Sequence, residues 1–353
     1  MDIQTQKLMM SAAGGELSDP IYIDSFFKVF LYTGNNSYPR SINNGMDLAG
    51  LGGLTFHKTR SNNNYGWVVY DTENGAGAKS LRLDGTGGLD NGAVGPYALV
   101  DQFLSDGYRL NQPSSIDVLN GSGLATASFT FLHQPGFFTL KTYNGSANAQ
   151  TISHQLQSVP GLILIKKTSG TGNWTVYHDS LGPTKRLEIS SNDEDTGVWN
   201  NTRPTSSNFY LTGDNDAVNK ASESYIAYIW SGSENDNLIF GAARNQSCVE
   251  TGSYTGNGSA TGPVITLRGG WAPQFVLIKN ASSNNTNWLL FDTTRGISNT
   301  GYCEYLYPDL PNAPNSATGI VLTSTGFEVE VSNTNLNGSG DTHVYLAIRS
   351  SMI

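Results

Sequence analysis

The sequence predicts an all-β protein: three tandem antiparallel β-sandwich modules, of jelly-roll or lectin-like type, behind a short N-terminal arm. Three observations predict it. A block of about 110 residues recurs three times along the 353-residue chain. Its apolar runs are strand-sized and lie between Gly, Asn and Ser clusters, the pattern of strands separated by turns. No segment carries a 3.6-residue apolar stripe longer than two turns.

The repeat sets the boundaries. Residues 1–25 form the arm, and the modules span 26–136, 137–247 and 248–353. Each module opens on an apolar strand that ends in a Gly-bearing turn. In the first it runs from Phe26 to Tyr32-Thr33-Gly34-Asn35, in the second from Phe137 to Tyr143-Asn144-Gly145, and in the third from Cys248 to Tyr254-Thr255-Gly256-Asn257. The three tyrosines are spaced by 111 residues both times.

A hairpin is expected next, because two apolar runs flank a short polar loop. Its first strand ends in Lys58, Lys166 or Lys279. Its second begins at Trp67, Trp174 or Trp288 and ends in Asp71, His178 or Asp292. Short strands at Gly107–Leu110, Asn208–Leu211 and Gly326–Val329 follow, then turns at Asn120, Asn219 and Asn337. A last aromatic strand closes each module, through Phe129, Tyr228 and Tyr345. That makes roughly seven or eight strands per module, the count of an antiparallel sandwich. Linkers are nearly absent, since Pro135-Gly136 runs straight into Phe137. The modules should therefore abut.

The arm includes Ile3, Leu8, Met9, Met10, Ile21 and Tyr22, more apolar residues than a solvated tail carries. It lies outside the repeat, so it needs another surface to bury it. Leu8, Met9 and Met10 are the candidate assembly residues, against a neighbouring subunit or an anchoring protein.

Composition excludes several classes. Net charge is −9, only 14% of residues are charged, and no Lys/Arg stripe exists, so nucleic acid and anionic membranes find no electrostatic footprint. No apolar run approaches the ~18 residues of a spanning helix. The start of the chain lacks a signal-peptide pattern, which suggests assembly in a cytoplasm. Two cysteines, Cys248 and Cys303, cannot make a disulfide framework and read as reduced, strand-borne thiols.

Motifs for catalysis are missing too. The five histidines show no metal-ligand spacing, and no nucleophile elbow is present. Gly75-Ala76-Gly77-Ala78-Lys79-Ser80 partly matches a phosphate loop but has Ala where Gly must precede Lys. Asp193-Glu194-Asp195 and Asp214-Asn215-Asp216 are acidic turns. Asp214 and Asp216 are weak calcium candidates, because alternating Asp and Asn supply oxygen ligands, but the terminal Glu of a full loop is absent. No catalytic residue and no cofactor are assigned.

The repeat also serves as an internal control. A residue that the fold needs should recur in every module, whereas a unique site should appear once. Trp67, Trp174 and Trp288 recur, as do Lys58, Lys166 and Lys279, so they read as scaffold. The tryptophans are expected in the cores. Each Lys is expected to lay its stem along the sheet with its ammonium in water. Sugar stacking would need exposed tryptophans.

The aromatic strand ending in Tyr-Thr-Gly-Asn, the Ile-Lys strand, the Trp strand and the Asn-Gly-Ser-Gly turns together resemble a family of marine phage proteins, notably of cyanophages. The openings Gln6–Gly14, Ser41–Leu48 and Thr151–His154 are similar as well. The family looks like tail-associated or virion-exposed structural proteins and supplies no catalytic residues. The resemblance implies a virion component assembled in the host cytoplasm: a tail-fibre or tail-tip protein contacting the host surface. Head decoration, a tail connector and a surface-polysaccharide depolymerase are the alternatives. The implied partners are other virion proteins, further copies of the chain and host polysaccharide, with no nucleic acid and no membrane insertion.

Overall fold

Strand-sized apolar runs between Gly and Asn turns do form strands. A computed structural model describes residues 19–77, 79–89, 99–111, 118–189, 197–232, 237–283, 285–297 and 301–351. The first module contains β1 (Phe27–Thr33), β2 (Arg40–Asn43), β3 (Gly53–Thr59), β4 (Val68–Asp71), β5 (Leu99–Leu104), β6 (Gly107–Asn111) and β7 (Ala125–Leu132). The second contains β8 (Phe138–Asn144), β9 (Gln150–Ser153), β10 (Pro160–Lys167), β11 (Thr175–His178), β12 (Leu187–Glu188), β13 (Asn208–Leu211) and β14 (Ser224–Ser231). The third contains β15 (Val249–Thr255), β16 (Val264–Thr266), β17 (Pro273–Asn280), β18 (Leu289–Asp292), β19 (Tyr302–Leu306), β20 (Asn315–Thr318), β21 (Ile320–Thr323), β22 (Gly326–Val329) and β23 (Thr342–Arg349). The helices α1 (Leu48–Leu51) and α2 (Thr334–Asn337) are single turns, capped by the side chains of Asp47 and Asn333.

One strand order occurs three times. The large sheets run β1-β7-β3-β4, β8-β14-β10-β11-β12 and β15-β23-β17-β18-β19-β20. In each, the opening strand pairs antiparallel with the closing one, and the closing strand pairs with the lysine-bearing strand. Tyr32, Tyr143 and Tyr254 hold the same place, opposite Thr126, Tyr225 and His343. Small sheets β2-β6-β5, β9-β13 and β16-β22-β21 cover one face of their large sheets. The third module's large sheet is extended by β19 and β20.

The lysine-bearing strands are buried along their whole length or nearly so, which explains their continuous apolar character. Their two faces go to different places. Ile163 and Ile165 point into the second module's own core, and Val276 and Ile278 into the third's. The alternate residues, Leu54 and Phe56, Leu162 and Leu164, Phe275 and Leu277, enter a core common to all three modules. Aromatic rings join there: Phe131 lies 5.4 Å from Trp230 and 6.1 Å from Phe275, and Phe27 lies 5.6 Å from Phe275. The modules thus do more than abut: they share an interior.

The recurring Gly and Asn have one physical role. Asn120, Asn219 and Asn337 are fully buried. Each side-chain oxygen accepts from a backbone N–H of the opening turn, that of Asn35 (3.2 Å), Ser146 (2.8 Å) or Asn257 (2.7 Å). This brings the two turns so close that a Cβ on Gly34, Gly145 or Gly256 would lie 2.1–2.2 Å from a backbone oxygen. Only Gly fits there.

The C-terminal end of the arm docks on its own chain. Ile21 bridges to Gly241, whose N–H donates to Ile21 O (2.9 Å), and Arg244 donates to Asp19 O (3.0 Å). Ile21 and Tyr22 pack on the shared core, and Phe26 lies 4.8 Å from Phe137 and 5.3 Å from Phe240. The expectation that Ile21 and Tyr22 need an outside partner is therefore corrected, because the second module's closing segment supplies the apolar surface. Leu8, Met9 and Met10 lie outside the described residues.

Candidate functional site: the seams between modules

The residues that recur with chemical potential meet at the seams. Trp67, Trp174 and Trp288 are buried, which removes them as sugar-stacking platforms. Each indole N–H donates across a seam: Trp67 to Tyr307 O (2.8 Å), Trp174 to Arg82 O (2.8 Å) and Trp288 to Glu188 O (3.0 Å). The first module thus donates to the third, the third to the second and the second to the first. The contacts close a ring.

The lysines overturn the expectation of a solvated ammonium. Lys58, Lys166 and Lys279 are fully buried. Lys58 Nζ donates to Thr59 O (2.9 Å), Tyr65 O (2.5 Å) and Pro311 O (2.8 Å). Lys166 Nζ donates to Lys167 O (3.2 Å), Gly172 O (2.8 Å) and Thr86 O (3.0 Å). Lys279 Nζ donates to the carbonyl and hydroxyl of Thr286. In the first two, one acceptor belongs to the next module. Seam closure buries the ammonium, and backbone carbonyls replace its water. Burial lowers each of the three from 10.5 to about 8. Near Lys279, burial raises Asp309 to about 7 while it accepts from Trp288 N (3.2 Å).

A second layer uses three different chemistries at one position. Asp71 accepts from Tyr228 of the second module (2.8 Å), and burial raises its pKa. His178 Nε2 donates to Tyr345 O of the third (3.0 Å). Asp292 holds Arg295 (2.5 Å), whose guanidinium lies 5.6 Å from the Phe129 ring centroid of the first. His178, expected as a plain strand-end residue, is thus a seam contact. Arg295 carried no repeat signal, and Tyr228, read with Phe129 and Tyr345 as a closing-strand aromatic, matches Phe129 and Leu346 by register, so its hydroxyl is unique to the second module.

The calcium candidates are taken by lysines. Asp214 pairs with Lys220 (3.0 Å) and Asp216 with Lys167 (2.5 Å). Among the described residues no group of three or more His, Cys, Asp or Glu is placed to hold a metal. Asp193–Asp195 and Ala78 lie outside them. Cys248 and Cys303 are both buried free thiols. No described helix is long and apolar enough to cross a membrane.

Architecture and seams together define a β-sandwich protein whose three sheet pairs close on one core. The family described as "Domain of unknown function (DUF7483)" matches residues 23–351, and the chain belongs to that family. The matched span takes in the whole ring, not one module. No curated protein matches the chain. Among solved structures, "Crystal Structure of the STIV MCP" aligns at 10% identity, over 62% of this chain and 93% of that one, with a TM-score of 0.17. At that score the likeness carries no argument.

Proposed function

We propose that this protein is a structural component of a phage virion, a tail-fibre or tail-tip part that faces the host surface, and that it has no catalytic activity. One observation supports the reading most. Side chains that recur in every module and could do chemistry are tied up inside the ring: all three tryptophans and two of the lysines bond across the seams, and Lys279 bonds to Thr286 of its own module. A chain whose recurring polar groups tie its own modules together suits a structural part. Its partners on this reading are other tail proteins, further copies of the chain and host polysaccharide.

The test is location in the particle. Antibody labelling of intact purified virions, with peptide mass spectrometry of separated heads and tails, should find the chain at the distal tail. Labelling on the head or at the head–tail joint would replace the tail assignment with decoration or connection. Absence from particles, or release of reducing sugar from host polysaccharide by the purified chain, would overturn the reading.

A further inference from the structure

The three small sheets cover inner faces of different chemistry. In the second module Phe209 of the small sheet shares a core with Ile163, Ile165 and Ala227, and in the third Phe327 shares one with Val276, Ile278 and Tyr345. By register the first module has Thr55, His57 and Ser128 at these positions, and Tyr108 in place of the phenylalanine.

His57 is fully buried between the two sheets, edge-on to Tyr108 of β6 at 4.8 Å and 6.1 Å from Tyr70 of β4. Neither of its ring nitrogens has a hydrogen-bond partner among the described residues. The other histidines differ in this. His133 Nδ1 pairs with Thr139 Oγ1 (2.9 Å), His154 Nε2 with Thr205 O (3.2 Å), His178 Nε2 with Tyr345 O (3.0 Å) and His343 Nδ1 with Asp341 O (3.2 Å).

The groups around His57 do nothing for an imidazolium. Tyr70 and Tyr108 are phenols, and burial raises Tyr108 above its usual 10. On β7, Thr126, Ser128 and Thr130 are neutral. On β1, Tyr32 carries the Arg40 guanidinium of β2 at 5.4 Å from its ring centroid, a cation that opposes a second one. Burial alone sets the proton affinity of His57 and lowers it from 6.5 to about 3, with no carboxylate acting on the ring among the described residues. Water would restore the ordinary value, so acid favours any state in which the two sheets part. The large sheet is anchored on its far side, where Leu54 and Phe56 enter the shared core and Trp67 and Lys58 bond to the third module. The small sheet is therefore the part that yields.

We propose that the first module carries an acid latch: protonation of His57 releases the small sheet β2-β6-β5 from the large sheet, while the second and third modules stay closed. Hydrogen exchange of the full chain, read by peptide mass spectrometry between pH 6 and 4.5, tests it. Protection over residues 40–43 and 99–111, corrected for the intrinsic rate, should fall about tenfold per pH unit. Protection over 150–153 and 208–211, and over 264–266 and 320–329, should hold. His57→Gln, which keeps polarity but takes no proton, and His57→Ile, which copies the second module, should each abolish the loss. If one variant fails to fold, the other carries the test. His154→Gln should leave the loss as it was. Equal loss in all three small sheets, loss in none, persistence of the loss in H57Q or H57I, or its abolition by H154Q would overturn the proposal.

Discussion

The first and second modules use one strand order, but their large sheets turn side chains of opposite character inward. In the second, the inward positions of β10 are Ile163 and Ile165, facing Ile229 and Ala227 of β14. In the first, the same positions of β3 are Thr55 and His57, facing Thr130 and Ser128 of β7. Thr55 and Thr130 share a hydroxyl contact (3.3 Å), and Asn44 donates to Thr130 (3.0 Å). His57 is fully buried, and neither ring nitrogen has a hydrogen-bond partner among the described residues. It sits edge-on to Tyr108 at 4.8 Å and near Tyr70 at 6.1 Å. Burial pushes its pKa from 6.5 down to about 3. The difference teaches that strand order here does not depend on apolar residues on the inner face of the large sheet, since only the small sheet's Ile42, Tyr108 and Leu110 keep that side apolar in the first module. It depends on features both modules keep: the Gly–Asn turn lock, the Trp and Lys seam contacts, and the shared aromatic core.

If the shared features carry the fold, removing one should cost most. Trp174→Ala should lose ~3–5 kcal/mol, as a buried large aromatic does, and Trp67→Ala should lose a similar amount, because it packs on the shared core 5.8 Å from Phe129. Urea melts would measure both, and a loss below 1 kcal/mol in either would break the equivalence of the seams.

Transplanting the difference is the next largest test. Ile165→His places an imidazole in an interior without polar neighbours and should cost about 3 kcal/mol at pH 7. If that variant melted like the parent, the second module would tolerate polarity as well as the first, and the contrast would lose its meaning.

The lysines should matter less, because deleting a buried charge also removes its desolvation cost. Lys166→Met leaves three carbonyls without their donor and should destabilise by ~1–3 kcal/mol, with Lys58→Met alike. A stabilised variant would mean that the ammonium costs more in lost hydration than the carbonyls return.

The last effect is absent at pH 7 and grows only as pH falls: the pH dependence that His57 alone adds. Its folded pKa lies below the unfolded one, so the unfolded chain takes up the proton first as pH falls. Stability is therefore lost below about pH 6.5, at ~1.4 kcal/mol per pH unit until about pH 3. His57→Ile, which copies the second module, should flatten the stability curve between pH 6 and 4. An unchanged slope would assign the acid sensitivity to other groups.

Much of this was legible in the chain itself. The even tyrosine spacing, the Gly and Asn turns and the apolar runs determine the strands, because turn chemistry and side-chain alternation are local. Recurrence also marked Trp174 and Lys166 as scaffold. Neither the ring nor the destination of the lysine ammonium was legible. A strand buried on both faces reads the same whether its second face meets its own module or a neighbour, so Leu162 and Ile163 look alike in sequence and enter different cores. Lys58 finds Pro311 O, 253 residues away, only after three modules have closed on one another. Local patterns therefore determined the elements and their order, while long-range packing decided the partners that buried polar groups find across the seams.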